Sequence, residues 1–229
     1  MSGEFTTSEG NSLINYCMLS VWLDEMGVTD YRIHVNGDDS VVIMEFKDLN
    51  KVKYTLDFFK NFNMETTLDI IAYDFRQISY CQASPVRVLI NDTYEWRMVK
   101  NPIRTMSRMS YCDYKYLIPI NRYRAGIALC ELACSAGVPV LQEWCMYNLR
   151  VARLASPLGS VDKVPANLFT KGDIKISKIG SLTREDFYVA FGMDIHMQQL
   201  WESSLAGIAE YHPNDITRYI NKYKQFHKN

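Results

Sequence analysis

The chain has 229 residues, of which 48% are hydrophobic and 22% charged, with 15 tyrosines and a formal net charge of −1. These proportions exclude a disordered polypeptide and give enough length for one large domain or two small ones, each with a substantial core. The near-neutral total conceals an uneven distribution: residues 1–90 carry −6, residues 91–155 carry +4 and residues 156–229 carry +1. An acidic first part suits the concentration of divalent cations, and a basic middle part suits contact with phosphates; scatter of surface charge is the plainer alternative.

Ser12 to Leu23 is mostly apolar and continuously helix-compatible, which predicts a buried helix ending near Gly27 behind a loop rich in Gly, Ser and Thr. Tyr31 to Asn36 alternates apolar and polar residues, Asn36-Gly37 is a strong hairpin signal, and Ser40 to Met44 is a second strand, leaving Asp38 and Asp39 at the tip. Leu49, Val52, Leu56, Phe59 and Phe62 recur at helical spacing, predicting an amphipathic helix over 48–62. Thr66 to Ile71 is a strand candidate, and Gln77 to Ile90 reads as two short strands around Ala83-Ser84-Pro85. Residues 1–90 thus form an α+β layer.

Beyond about residue 91 the pattern is mainly helical, with stretches over 105–116, 123–136, 139–154, 183–192 and 197–211 and a long loop over 156–175. The most apolar stretch, Ala125 to Leu141, is interrupted by Glu131 and Gly137 and is too short to span a bilayer. Six cysteines show no C-x2-C pair, so no zinc framework is expected, and reduced, mostly buried thiols in a cytosolic setting are.

Two stretches carry the chemistry. Ser2, Gly3, Thr7 and Asn11 present hydroxyls and an amide that could read a ribose 2′-OH, with Gly3 and Gly10 permitting close backbone approach; a polar helix N-cap is the alternative. Downstream, Asn36-Gly37-Asp38-Asp39 sets two carboxylates on a hairpin tip, where Asp38 is expected to be the main ligand of a divalent cation and Asp39 its support; ordinary turn chemistry is the alternative. Arg104 and Arg108, four apart on a predicted helix, share a face that could contact duplex phosphates or simply face solvent.

The spacing Ser2-Gly3-x3-Thr7-x3-Asn11, the Gly37-Asp38-Asp39 hairpin and the run Tyr80-Cys81-Gln82-Ala83-Ser84-Pro85-Val86 occur in one order and together resemble the RNA-dependent RNA polymerases of positive-strand RNA viruses, in particular the tombusvirus-like group. The resemblance covers roughly residues 2–86. It implies part of a right-hand polymerase palm over 1–90 and a helical thumb over 91–229. It also implies a Mg²⁺ or Mn²⁺ cofactor held by Asp38 and Asp39, and a nucleotide ribose lined by Ser2, Gly3, Thr7 and Asn11. Tyr80, Cys81 and Gln82 would support the primer end. Nucleoside triphosphates and template and product RNA would be its substrates, and the host cell cytoplasm, at membrane-bound replication sites, its place of work.

The family's first aspartate motif and its basic finger motif are expected upstream of Ser2, and neither occurs in these 229 residues. Asp24-x5-Asp30 and Asp69-x4-Asp74 match the aspartate spacing but follow the Ser-Gly segment. The chain is therefore expected to be a distal palm and thumb, inactive alone and dependent on an upstream segment or a second polypeptide for fingers and first aspartate. The alternative is a non-catalytic RNA-binding or replication-complex interaction subunit with a palm-like fold.

Overall fold

The computed structural model describes residues 7–109, 119–155, 175–207 and 213–226. Its elements mix helices with two small antiparallel sheets, as an α+β chain should. They divide into two compact units, one of residues 1–73 and 79–82, the other of residues 74–78 and 83–229.

In the first unit, helix α1 runs from Thr7 to Glu25, starting five residues earlier than the apolar run suggested. Gly27 at φ +68° ends it, with the Val28 N–H donating to the Leu23 carbonyl at 2.9 Å, a left-handed cap that a side-chain-bearing residue would strain. The helix is not buried all round: Leu19, Trp22 and Leu23 enter the core, whereas Leu13, Ile14, Tyr16 and Val21 are exposed. Strands β1 (Tyr31–Asn36) and β2 (Asp39–Met44) form the expected hairpin, with Asn36 opposite Asp39.

The expected amphipathic helix over 48–62 is broken. A 3-10 turn at Phe46–Asp48 leads into α2 (Leu49–Val52), and a further 3-10 turn covers Leu56–Phe62. The break lies at Thr55, whose hydroxyl donates to the Val52 carbonyl at 3.0 Å and accepts from the Trp22 indole N–H at 2.9 Å. A hydroxyl drawn to the backbone competes with helix continuation. Val52 and Phe59 still reach the core beside Leu19, Trp22, Leu23 and Val28. Lys51 fixes the start of this segment by bonding the Gly27 carbonyl at 2.8 Å and buried Asp48 at 2.6 Å. Residues 66–71 form no strand; Leu68 and Ile70 are exposed.

In the second unit, a 3-10 turn at Phe75–Gln77 is closed by a capping box on Asp74. Ala83–Ile90 is one strand, β3, not two, and it pairs with β4 (Thr93–Lys100), a strand in a region expected to be helical. Asn91 and Asp92 make the two-residue turn, both at positive φ (47° and 63°). This is the backbone that a type I′ hairpin requires and that Asn and Asp tolerate best after Gly.

Helices α3 (Pro102–Met109), α4 (Ile120–Ser135), α5 (Leu141–Val151), α6 (Ser181–Phe191), α7 (Ile195–Ala206) and α8 (Pro213–Phe226) follow. The last was not anticipated, and most of the expected 156–175 loop lies outside the described residues. Leu129, Leu132, Cys145, Leu149 and Ile216 build one core cluster; Val86, Val88, Val138, Leu141 and Phe187 build a second under the β3–β4 hairpin. Between α4 and α5, Val140 sits at φ +64° and ψ −51°, an outlier for a β-branched residue, and its N–H donates to Glu202 Oε1 at 2.9 Å. Glu202 is itself held by Arg184 at 2.8 Å, so the strained turn is pinned by an ion pair between α6 and α7.

A buried carboxylate closes the outer edge of β3. Ile90 and Thr93 flank the turn, so the N–H groups of alternate residues upstream point away from β4. Pro85 has none to offer, and the Arg87 N–H donates to Asp186 Oδ2 at 3.0 Å. The Arg87 guanidinium also grips Asp186, at 2.7 Å to each oxygen, and Arg76 reaches it at 3.3 Å. Burial alone would raise the Asp186 pKa, yet the Arg87 hydrogen bonds and charge outweigh it and hold the carboxyl below its ordinary value. On the other side Arg87 lies 5.3 Å from the Trp96 ring, which Phe75 meets edge-on at 5.0 Å.

Removing one partner of a buried ion pair leaves the other uncompensated, so Asp186→Ala is expected to cost about 3–5 kcal/mol in urea unfolding. Lys60→Ala, which breaks an exposed pair with Asp57, should leave the midpoint unchanged. Because the folded pKa of Asp186 lies below the unfolded one, its contribution is complete above about pH 4 and is lost as pH falls further. The gap in unfolding midpoint between the parent chain and Asp186→Asn should therefore narrow below that pH; a constant gap would contradict the ion-pair account.

Candidate active site

The hairpin tip differs from the sequence expectation by one residue: Gly37 and Asp38 are the two turn residues, and Asp39 is already the first residue of β2. Gly37 adopts φ +66°, which places glycine at the first central position of a two-residue turn. Asp38 and Asp39 are both exposed, and among the described residues neither carboxylate is engaged in a hydrogen bond or ion pair. Two free carboxylates at a tip are hard oxygen donors of the kind Mg²⁺ takes one or two at a time. Among the described residues no cluster of three or more potential ligands completes a cage.

Two side chains of α1 hold this turn. Gly37 donates its N–H to Ser12 Oγ at 2.8 Å, and Asn15 Nδ2 donates to the carbonyls of Gly37 at 3.1 Å and Asp38 at 3.2 Å. The Ser12 proton goes to the Ser8 carbonyl at 2.7 Å, which leaves its oxygen as the acceptor for Gly37. Sequence reasoning missed both residues. The available signal was a polar pair spaced i, i+3 inside an apolar helix, on the stripe that continues into Leu19 and Trp22.

Thr7 and Asn11 lie within α1, not in a loop ahead of it. They precede Asn15 by eight and four positions, so they fall on the same helix face, about 12 and 6 Å further along the axis. Ser2 and Gly3 lie outside the described residues. Tyr80 and Cys81 also belong to this unit and stand close to the tip: Asn36, paired with Asp39, donates its amide to Cys81 Sγ at 3.2 Å. Burial, the neighbouring Cys81 and the charge of Asp39 all push the Tyr80 phenol upward. Cys81 and Gln82 take consecutive positive φ values of 51° and 61°, so the chain turns sharply as it leaves this site.

Arg104 and Arg108 are elsewhere, both exposed on α3 in the second unit, where Asn101 Oδ1 accepts the Arg104 N–H at 3.2 Å. The paired aspartates that matched by spacing have other partners: Asp24 accepts from the Tyr31 hydroxyl at 3.1 Å, and Asp74 caps its 3-10 turn and pairs with Arg76. Cys17, Cys81 and Cys134 are exposed, Cys130 is half-buried and only Cys145 is buried among the described thiols, against the expectation that most would be.

The chain matches the family model for viral RNA dependent RNA polymerase over residues 1–208. It is 29% identical to the RNA-directed RNA polymerase of Melon necrotic spot virus over 211 residues, 89% of this chain and 26% of the relative's length. Similar matches are found to the RNA-directed RNA polymerases of Turnip crinkle virus (29% identity, 88% of this chain, 26% of the relative) and Tomato bushy stunt virus (28%, 90%, 26%). The chain thus spans about a quarter of the length of these curated relatives. With a family match that takes in α1, the Gly37-Asp38-Asp39 hairpin and the Tyr80–Gln82 turn, the chain belongs to the viral RNA-dependent RNA polymerases.

Proposed function

We propose that this chain is the distal palm and helical thumb of a polymerase that copies a viral RNA genome by template-directed nucleotidyl transfer. The observation that carries this reading is the convergence of two unengaged carboxylates, the polar face of α1 and the Tyr80 and Cys81 side chains around one hairpin tip. Asp38 and Asp39 are the residues to hold Mg²⁺ or Mn²⁺. Two divalent cations held there would supply charge stabilisation to an in-line phosphoryl displacement, one at the attacking and one at the leaving oxygen.

Thr7 and Asn11, with Ser2 and Gly3, line the ribose of the incoming nucleoside triphosphate, where a hydroxyl and an amide can both donate to and accept from a 2′-OH. Tyr80, Cys81 and Gln82 support the primer end. Arg104 and Arg108, on one exposed helix face, bear on phosphates of the product duplex. The two carboxylates make an incomplete set of protein ligands, so activity requires the upstream polymerase segment, in the same polypeptide or supplied by a second one. No helix among the described residues is long and apolar enough to cross a membrane. We assign the work to the host cytoplasm, with any membrane attachment made through the upstream segment.

The test is RNA synthesis on a primed template by this chain joined behind the upstream part of the Melon necrotic spot virus polymerase. Asp38→Ala is expected to lower the rate by at least about 10²-fold, and an unchanged rate would overturn the assignment. In the same polypeptide, Arg104→Ala with Arg108→Ala should reduce the slope of log affinity against log salt by about 1 for each phosphate no longer neutralised. Binding measured between 50 and 200 mM salt, at about those limits, checks it.

A further inference from the structure

We infer that Asn15 and Ser12 are positioning residues for the metal-binding carboxylates, acting through the backbone of the turn that carries them. The inference rests on the reading of Asp38 and Asp39 given above and adds to it which side chains determine where those carboxylates point.

In a two-residue hairpin turn the N–H and C=O groups of both central residues lie outside the ladder, so Gly37 and Asp38 present four polar groups that β1 and β2 cannot satisfy. Three of the four are satisfied by two side chains from one helix: Ser12 takes the Gly37 N–H, and the Asn15 amide nitrogen, which carries two protons, donates to both the Gly37 and the Asp38 carbonyl. The Gly37 carbonyl belongs to the peptide plane before the Asp38 Cα, and the Asp38 carbonyl to the plane after it. Peptide planes are rigid, so their two orientations are the φ and ψ of Asp38. One amide group therefore fixes both soft backbone angles of Asp38 and, through them, the direction of its Cα–Cβ bond. The second plane also leads into Asp39, so its carboxylate inherits the same constraint.

The chemistry limits what can replace these residues. Only a side chain with two protons on one nitrogen at the length of Asn serves both carbonyls at once. Position 12 needs an oxygen whose own proton is taken by the preceding turn, which Ser or Thr supplies and Ala does not. Partners that orient metal ligands typically change affinity by about 10–100-fold when removed.

The experiment is a Mn²⁺ titration of the 229-residue chain, read by paramagnetic broadening of backbone amides near the hairpin, on the parent, Asn15→Leu, Asn15→Ala, Ser12→Ala, Ser12→Thr, Ser20→Ala and Asp38→Ala. Ser20 bonds back to Tyr16 in its own helix and meets the Tyr31 hydroxyl at the end of β1 far from the turn, so it controls for loss of a helical hydroxyl away from the tip. Asn15→Leu and Asn15→Ala are expected to weaken the Mn²⁺ midpoint by about tenfold, Ser12→Ala by a smaller factor, and Ser12→Thr and Ser20→Ala not at all. The Gly37 amide should lose its protection from hydrogen exchange in Ser12→Ala and retain it in Ser12→Thr. If both Asn15 variants lower the unfolding midpoint yet leave the Mn²⁺ midpoint at the parent value while Asp38→Ala abolishes broadening, the residues are merely structural and the inference is overturned. If Asp38→Ala leaves broadening unchanged, the metal assignment itself fails and the inference goes with it.

Discussion

A hairpin that ends in two adjacent acidic residues faces a physical problem at its tip. Its turn peptides lie beyond the reach of the ladder, and the strands alone leave the carboxylates free to swing. Helix α1 answers it with Ser12 and Asn15, whose hydrogen bonds to Gly37 and Asp38 fasten the turn from outside the sheet. The same stripe of α1 changes character along its length. Toward Glu25 it is apolar, with Leu19, Trp22 and Leu23 packed in the core; at Ser12 and Asn15 it is polar against the turn. One helix thus packs into the core at one end and fastens the hairpin turn at the other. The Asn36 amide on Cys81 extends the arrangement by tying the hairpin to the turn at residues 80–82.

The second unit depends on a different device, the capture of Asp186 by Arg87 and Arg76. A two-stranded sheet has only edges, and exposed edges invite pairing with other chains. On β3 the edge is managed by Pro85, which has no N–H, and by Asp186, which takes the N–H of Arg87. The pair therefore contributes to specificity of pairing as well as to stability, and its full desolvation on the carboxylate side makes it sensitive to loss of either charge.

What the sequence made legible was the chemistry with local signatures. Alternation around Asn36-Gly37 located β1 and β2, and the Gly37-Asp38-Asp39 triplet with its flanking motifs led to the family. Where tertiary contacts override local pattern, the reading failed. Val52, Leu56 and Phe59 of the 48–62 stretch do reach the core while Phe62 is exposed, and Thr55 binds both Val52 and Trp22 and breaks the helix, an interaction set by a residue 33 positions away. Thr66 to Ile71 has strand-like residues and no partner strand among the described residues. Strand β4 is the instructive miss: Asn91-Asp92 is turn chemistry close to that of the first hairpin, and Tyr94, Trp96 and Met98 alternate behind it, yet the approaching helical region drew the boundary too early. Val140 at positive φ has no sequence signature, because its conformation is imposed by the Glu202–Arg184 pair. Ser12 and Asn15 are ordinary helix residues until the hairpin is folded against them.

On the proposed function, the N-terminal half of α1, the Gly37–Asp39 turn and the Tyr80–Gln82 turn surround a divalent-cation site. Replacing the divalent cation by Fe²⁺ in this chain and generating hydroxyl radicals cuts backbone near the metal, and mapping the fragments locates it. Cleavage is expected to be confined to these three stretches and suppressed together by excess Mg²⁺ and by Asp38→Ala. Cleavage centred elsewhere in the chain, or cutting at the hairpin with neither of the other two stretches, would contradict it.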